Sequence, residues 1–176
     1  VTHDVIKNSR LSLQGDSSLK RFRSRFSELI DGTDQRFFIC SPGSVWQTKQ
    51  YPPDLLSRLL QRLLIELPSH RCVLSGGPGD FETIDRVIAG LKEQDLNGGY
   101  ESRVLDARDC LPLPELVELT RRADFVISPD SAPLHIASAT GTKVFAFFGP
   151  TSAQTGFGVD TITETFGAGF KCPVLI

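Results

Sequence analysis

The sequence alternates short apolar runs with amphipathic segments of helical length, and this alternation limits the folds open to the chain. Strand-sized apolar runs occur at residues 37–40, 71–75, 103–105, 125–127 and 144–148. Segments with apolar residues at helical spacing follow the first four runs, at residues 53–66, about 80–92, 113–122 and 132–140. Near-continuous apolar strands are typical of a parallel sheet buried on both faces. The pattern therefore predicts a doubly wound, Rossmann-like α/β domain.

Residues 1–34 differ from the rest of the chain. They are polar and serine-rich, and they carry a basic cluster of Lys20, Arg21, Arg23 and Arg25. We interpret residues 1–34 as a connecting arm and residues 35–176 as the folded domain. The basic cluster is typical of a solvated face, with contact to anionic lipid as the alternative. The sequence contains no methionine, which we interpret as a sign that the chain is part of a longer one.

Composition excludes several classes of protein. The 176 residues are 40% apolar and 23% charged, as in an ordinary globular chain, and we expect neither a membrane-spanning helix nor a signal peptide. The 19 basic and 21 acidic side chains argue against a nucleic-acid binder. Three scattered histidines and four cysteines without a CxxC pair predict no metal site and no disulfide framework. We expect reduced thiols in a cytosolic protein.

Three common nucleotide or catalytic motifs are missing. A GxGxxG fingerprint starting at Gly77 requires glycine at position 82, which is Glu82. Gly141 is not part of a Walker A loop, since Lys143 does not directly follow it and enters a strand. No GxSxG elbow occurs. An NAD-dependent oxidoreductase is therefore a weak alternative.

Small and polar residues surround the start of the fourth predicted helix. Asp130 or Ser131 is suited to cap that helix, and Pro133 fits its first turn. A helix N-terminus holds phosphate well, and the small Ser131 and Ala132 allow close approach to the backbone. His135 lies one turn further along the same face, where its ring can donate a hydrogen bond. The alternatives are a capped helix without a ligand and a buried histidine bonded to a carbonyl group.

The loop after the first strand carries a lysine between two aromatic residues. Ser44 opens this loop, and Thr48 and Lys49 lie near its end. The carboxyl ends of parallel strands meet at one edge of a sheet, so Thr48 and Lys49 should face the same crevice as the helix after strand four. Together they would hold a diphosphate through charge-assisted hydrogen bonds of about 1.5 to 3 kcal/mol each. A solvated surface lysine is the alternative.

The loops after strands two and five supply further candidates. Residues 76–79 are glycine-rich, and Asp80 or Glu82 then opens the next helix. A carboxylate at this place accepts from ribose hydroxyls in other doubly wound nucleotide sites. Helix capping by Asp80 is the alternative. After strand five, the Thr151 hydroxyl is a candidate for contact with a phosphate or sugar.

These segments and their order resemble the ADP-heptose:lipopolysaccharide heptosyltransferases, bacterial glycosyltransferase family 9. The matching segments are SPGSVWQTKQYP at 41–52, LSGGPGD at 74–80 and RADFVISPDSAPLHIASATGTKVFAFFGPTSAQTGFG at 122–158. The resemblance implies the C-terminal, donor-binding half of a GT-B enzyme, whose two Rossmann-like halves face each other across a cleft. It also implies the residues at the donor phosphates, namely Thr48 and Lys49 in one loop and Asp130, Ser131, Ala132 and His135 in another segment.

The chain departs from the family pattern at two positions. Ala132 stands where the family often has glycine. Gly79 stands nearest to the acidic residue that the family uses on the nucleoside, which leaves Asp80 or Glu82 as substitutes.

The resemblance implies transfer of heptose from ADP-heptose to the lipopolysaccharide inner core, with inversion and without a metal or other cofactor. The general base is expected in the N-terminal half, so residues 1–176 alone should bind nucleotide weakly and catalyse nothing. The implied partners are the nucleotide-sugar donor, the lipopolysaccharide core acceptor and that N-terminal domain. The expected location is the cytoplasm, at the inner face of the inner membrane. A non-catalytic nucleotide-sugar-binding module and a transferase for another nucleotide sugar remain alternatives.

Overall fold

Helices and parallel strands alternate along the chain. A computed structural model describes residues 36–94, 99–108, 111–149 and 163–167, together with residues 24, 26, 27 and 29. The strands are β1 Arg36–Cys40, β2 His70–Leu74, β3 Val104–Asp106, β4 Phe125–Pro129, β5 Lys143–Phe148 and β6 Thr163–Gly167. The helices are α1 Pro53–Glu66, α2 Phe81–Gln94, α3 Tyr100–Arg103, α4 Leu113–Arg122 and α5 Ala132–Thr140. Two short 3₁₀ turns span Gln47–Lys49 and Pro78–Asp80.

The six strands form one parallel sheet with helices on both faces. Their order is β3-β2-β1-β4-β5-β6. Phe38 and Cys40 of β1 belong to a buried cluster that includes residues of α1 and α2. Phe37 and Ile39 belong to a second cluster, which includes residues of α4 and α5. Because alternate strand residues point to opposite faces, the two clusters lie on opposite sides of the sheet. The prediction of a doubly wound α/β domain is confirmed.

The order in which strands are added to the sheet switches from one side of β1 to the other at β4. Strands β2 and β3 lie on one side of β1, while β4, β5 and β6 lie on the other. The Ser41 amide donates to the Ile127 carbonyl at 2.9 Å, so the pairing of β1 with β4 extends to the point where the loops begin. In sheets of this type the crevice beyond the carboxyl ends of such neighbouring strands receives the ligand.

Most predicted elements agree closely with the structure. Helices α1, α4 and α5 have the predicted bounds, and Gly141 ends α5 with a φ of 75°, in the left-handed region. The short α3 and the edge strand β6 were not predicted. The β6 sequence is TETFG, which lacks the apolar run that marks the other strands. It pairs with β5 alone, so one of its edges does not pair with a described strand.

Part of the predicted arm packs on the domain. Phe26 and Leu29 are helical and buried, in the cluster that contains Phe37 and Ile39. The basic cluster at residues 20–25 lies outside the described residues apart from Ser24. No described helix is long and apolar enough to cross a membrane.

Two of the four cysteines lie in the described core as free thiols. Cys40 and Cys72 are both buried on neighbouring strands. Burial raises the pKa of the Cys40 thiol to about 12 and also raises that of Cys72. These thiols are therefore protonated and poorly reactive at neutral pH.

Candidate functional site

The loops that follow β1, β2 and β4 surround a cavity at the carboxyl edge of the sheet. Its volume is about 730 Å³, within the usual range for a small-molecule pocket. The loop after β1, the glycine-rich loop after β2, the start of α4 and the start of α5 all contribute to its walls. The lining includes the predicted residues Ser44, Asp80, Ser131 and Ala132.

Lys49 lies beside the start of α5. It is the last residue of the 3₁₀ turn Gln47–Lys49, and its Nζ atom donates to Asp130 Oδ2 at 2.7 Å. The Lys49 side chain is 16% exposed and that of Asp130 is 4% exposed, so water screens this pair only weakly. Asp130 directly precedes Ser131, the residue before the first turn of α5. The structure thus brings the ammonium group and the helix N-terminus together, although Asp130 offsets part of the ammonium charge.

The prediction that the Ser131 side chain caps α5 is wrong. Ser131 occupies the capping position, but its hydroxyl makes no hydrogen bond to the helix amides. The Ser131 hydroxyl instead lies 3.0 Å from Ser128 Oγ, and the Asp130 carboxylate binds Lys49. The positive end of α5 is therefore not capped by the Ser131 side chain, and it lies at the wall of the cavity. Such an end attracts an anion.

The loop after β2 holds Asp80 close to the loop after β1. Asp80 Oδ2 accepts a hydrogen bond from the Gly77 amide at 2.9 Å. A Cβ atom at Gly43 would collide with the Asp80 carboxylate, so a side chain at this position would have to displace that carboxylate. Asp80 lines the cavity as well as bonding its own turn. Glu82, the other predicted candidate, is not part of the lining.

The remaining predicted residues do not line the cavity or lie outside the described part of the chain. Thr48 is exposed and, like Lys49, does not line the cavity. His135 is exposed on the first turn of α5, so the alternative of a buried histidine is wrong. Thr151 lies outside the described residues. The described residues contain no group of three or more metal-binding side chains.

Gly149 sets the position of the loop that carries Lys49. A Cβ atom at Gly149 would collide with the Thr48 carbonyl oxygen. We expect Gly149→Ala to push this loop outward, weaken the contact of Lys49 with Asp130 and lower the free energy of unfolding by about 1 to 3 kcal/mol. Urea unfolding measures this. Gly79→Ala is the control, because its added methyl meets no atom within 4 Å. Equal stability of the two variants would contradict the prediction.

Three polar residues in the cavity wall were not predicted from the sequence. Ser41 Oγ and Ser75 Oγ lie 2.6 Å apart and are buried between β1 and β2. Glu115 lies in the first turn of α4 and is 3% exposed. A signal for Glu115 was present: it precedes the buried Leu119 by four residues, so a charge falls on the apolar stripe of the helix.

The sequence matches a known protein family. Residues 6–165 match the family described as glycosyltransferase family 9 (heptosyltransferase). No curated protein matches the sequence.

Three solved structures have a similar fold. E. coli ADP-heptose LPS heptosyltransferase II is 20% identical with a TM-score of 0.68, over 86% of this chain and 43% of that chain. A family 9 glycosyltransferase from Veillonella parvula DSM 2008 is 21% identical with a TM-score of 0.67, over 85% of this chain and 39% of that chain. E. coli heptosyltransferase WaaC with ADP is 18% identical with a TM-score of 0.64, over 89% and 44%.

This chain therefore spans less than half the length of these three structures. Identities of 18 to 21% show a shared fold. The family match covers most of the 176 residues, and it is this match that identifies the chain as a member of glycosyltransferase family 9.

Proposed function

We propose that this chain is the donor-binding half of a heptosyltransferase and that its cavity holds the ADP portion of ADP-heptose. The observation that carries the proposal is that Lys49, bonded to Asp130, lies beside the start of α5, which Ser131 does not cap and which lines the cavity. A helix N-terminus with an ammonium group beside it suits a diphosphate, although Asp130 offsets part of the ammonium charge. The E. coli heptosyltransferase WaaC, which shares the fold, was solved with ADP.

The proposed reaction transfers heptose to the lipopolysaccharide inner core with inversion. An acceptor hydroxyl oxygen forms a bond to the anomeric carbon while the bond from that carbon to the diphosphate oxygen breaks, and ADP leaves. Negative charge grows on the departing diphosphate, and Lys49 with the amides of α5 would stabilise it without a metal ion. We expect the base that takes the acceptor proton to come from the N-terminal half that the family resemblance implies.

The proposed place of work is the cytoplasmic face of the bacterial inner membrane. A protein that binds this membrane surface would reach a lipid-linked acceptor there. The basic residues Lys20, Arg21, Arg23 and Arg25 support this, because clustered positive charge is attracted to anionic lipid headgroups.

Calorimetric titration with ADP tests the site. We expect the chain to bind ADP and Lys49→Ala to bind it about tenfold to a hundredfold more weakly, since a charge-assisted hydrogen bond contributes about 1.5 to 3 kcal/mol. Lys92→Ala is the matched control, because Lys92 is exposed in the last turn of α2. Unchanged ADP affinity in Lys49→Ala would count against the site.

Competing nucleotides separate the alternatives. We expect UDP and NAD to compete with ADP poorly. Tighter binding of UDP would favour a transferase for another nucleotide sugar, and saturable NAD binding without an ADP effect would favour an oxidoreductase. A non-catalytic module would bind ADP-heptose but transfer no heptose even when joined to an N-terminal half.

A further inference from the structure

Arg108 links the end of β3 to the start of α2. Its Nε atom donates to Asp106 Oδ1 at 3.0 Å, and its Nη2 atom lies 2.7 Å from Asp106 Oδ2. Its Nη1 atom donates to Asp85 Oδ1 at 2.6 Å and to the Phe81 carbonyl oxygen at 3.3 Å. The guanidinium also lies over the Phe81 ring, 5.7 Å from its centroid. One side chain therefore joins two elements that are neighbours in space but not along the chain.

This link belongs to the stronger class of ion pairs. Most surface ion pairs contribute little to stability, but bidentate arginine–carboxylate pairs and networks are exceptions. The Arg108 side chain is 19% exposed, so most of it is shielded from water. Burial alone raises the pKa of the Asp106 carboxyl, but the hydrogen bonds and positive charge of Arg108 hold it below its ordinary value. The pair is therefore ionised at neutral pH.

The loop after β2 lies between the two elements that Arg108 joins. This loop follows Leu74, the last residue of β2, which pairs with Asp106 in the sheet. It ends where α2 begins, at Phe81, whose carbonyl oxygen accepts from Arg108. The loop contributes to the cavity wall through Ser75, Gly76, Gly77 and Asp80. Arg108 is not part of the lining, so any effect it has on a ligand acts through the loop.

Glycine makes this loop dependent on outside support. Residues 76, 77 and 79 are glycine, and an unrestrained glycine has more conformational freedom than any other residue. Within the loop, the Gly77 amide donates to Asp80 Oδ2 and the Asp80 amide donates to the Gly77 carbonyl oxygen, both at 2.9 Å. These bonds fold the turn internally. Arg108 fixes the first turn of α2, and with it the end of the loop, relative to β3.

We propose that Arg108 is a positioning residue that holds the loop after β2 in the arrangement that binds the nucleotide. This inference rests on the proposed function. Arg108 acts by keeping the glycine-rich wall of the cavity in place before the nucleotide arrives, so that binding does not have to order it. When a binding arrangement is only partly populated, the apparent affinity falls by the same fraction.

Calorimetric titration with ADP tests the proposal. Arg108→Ala should bind ADP about threefold to tenfold more weakly than the wild-type chain, because the loop then occupies the binding arrangement for only part of the time. Arg108→Lys should recover little of this loss, since an ammonium keeps the charge but lacks the fork that reaches Asp106 and Asp85 together. Asp85→Ala cuts only the α2 side of the link, at a carboxylate that is 68% exposed, and should show a smaller loss.

Arg122→Ala is the matched control. Arg122 also pairs with a carboxylate, that of Glu118, and it does not line the cavity. Its substitution removes the same charge and one ion pair, and it should leave ADP affinity unchanged.

A second substitution separates positioning from a purely structural role. Gly79→Ala restricts the loop without a clash, because the added methyl meets no atom within 4 Å and Gly79 does not have a positive φ. In the Arg108→Ala background it should recover at least about twofold in ADP affinity, while in the wild-type chain it should change affinity little. Amide hydrogen exchange at Gly77 should be faster in Arg108→Ala and slower again in the double variant.

Three results would overturn the proposal. Unchanged ADP affinity in Arg108→Ala would show that the loop needs no link to β3. Full recovery in Arg108→Lys would show that the charge attracts ADP and that the geometry is unimportant. No recovery in the double variant would show that loop freedom is not the cause. If Lys49→Ala still weakens ADP binding, the proposed function survives each of these results. If the wild-type chain binds no ADP, the proposed function fails and this inference fails with it.

Discussion

Leu60→Ala is expected to lower the free energy of unfolding by about 3 kcal/mol. Leu60 is fully buried on α1, in the core cluster that joins this helix to α2 and the sheet. Truncating a buried leucine removes the transfer free energy of its methyl groups and leaves a cavity, which together cost about 2 to 5 kcal/mol. Urea unfolding followed by circular dichroism measures the loss.

Ile65→Ala is the control for this core truncation. Ile65 lies on the same helix but is 69% exposed, so its change should stay within about 0.5 kcal/mol. A loss for Leu60→Ala no larger than that for Ile65→Ala would contradict the assignment of this helix face to the core.

Arg103→Ala is expected to destabilise the chain by about 3 kcal/mol through a different mechanism. The guanidinium of Arg103 donates to the carbonyl oxygens of Leu64, Leu67 and His70, at distances of 2.7 Å for the shortest bond to each. Leu64 and Leu67 lie at the end of α1, where carbonyl groups have no partner within the helix. Hydrogen bonds from a charged donor contribute about 1.5 to 3 kcal/mol each and do not add fully.

Two further variants separate this mechanism from loss of charge alone. Arg62→Ala removes an exposed positive charge from α1 and should change stability little. Arg103→Lys should recover only part of the stability, because an ammonium lacks the planar fork that reaches three carbonyl groups. Thermal unfolding of the set measures the order. Full recovery in Arg103→Lys would show that charge, rather than the hydrogen-bond geometry, is what matters.

Several features of the fold were predictable because they depend on neighbouring residues. The leucine spacing of α1 predicts its bounds, and Gly141 predicts the left-handed end of α5. The near-continuous apolar strands predict a parallel sheet, and the connectivity of such sheets predicts where their loops meet. This rule was enough to predict that Lys49 and the start of α5 share one edge.

The prediction that the Ser131 side chain caps α5 failed because its hydroxyl has a competing partner. A serine or aspartate before a helix usually accepts from its first amides. Here Ser131 contacts Ser128, and Asp130 binds Lys49, which is 81 residues away in the sequence. The local sequence preference predicts a polar side chain before the helix, but tertiary contacts determine which group that side chain binds.

Periodic hydrophobicity and glycine positions are thus sufficient to specify the layered α/β architecture and the edge where the site lies. The tertiary structure decides which polar groups meet. Lys49 binds Asp130, and Arg103 binds the carbonyl groups at the end of α1. The Oε2 atom of Glu115 meets none of the described donors. The physical reason is the separation along the chain over which each effect acts. Backbone conformation responds to residues within a turn or two, whereas the partner of a buried charge is supplied by elements that are distant in the chain.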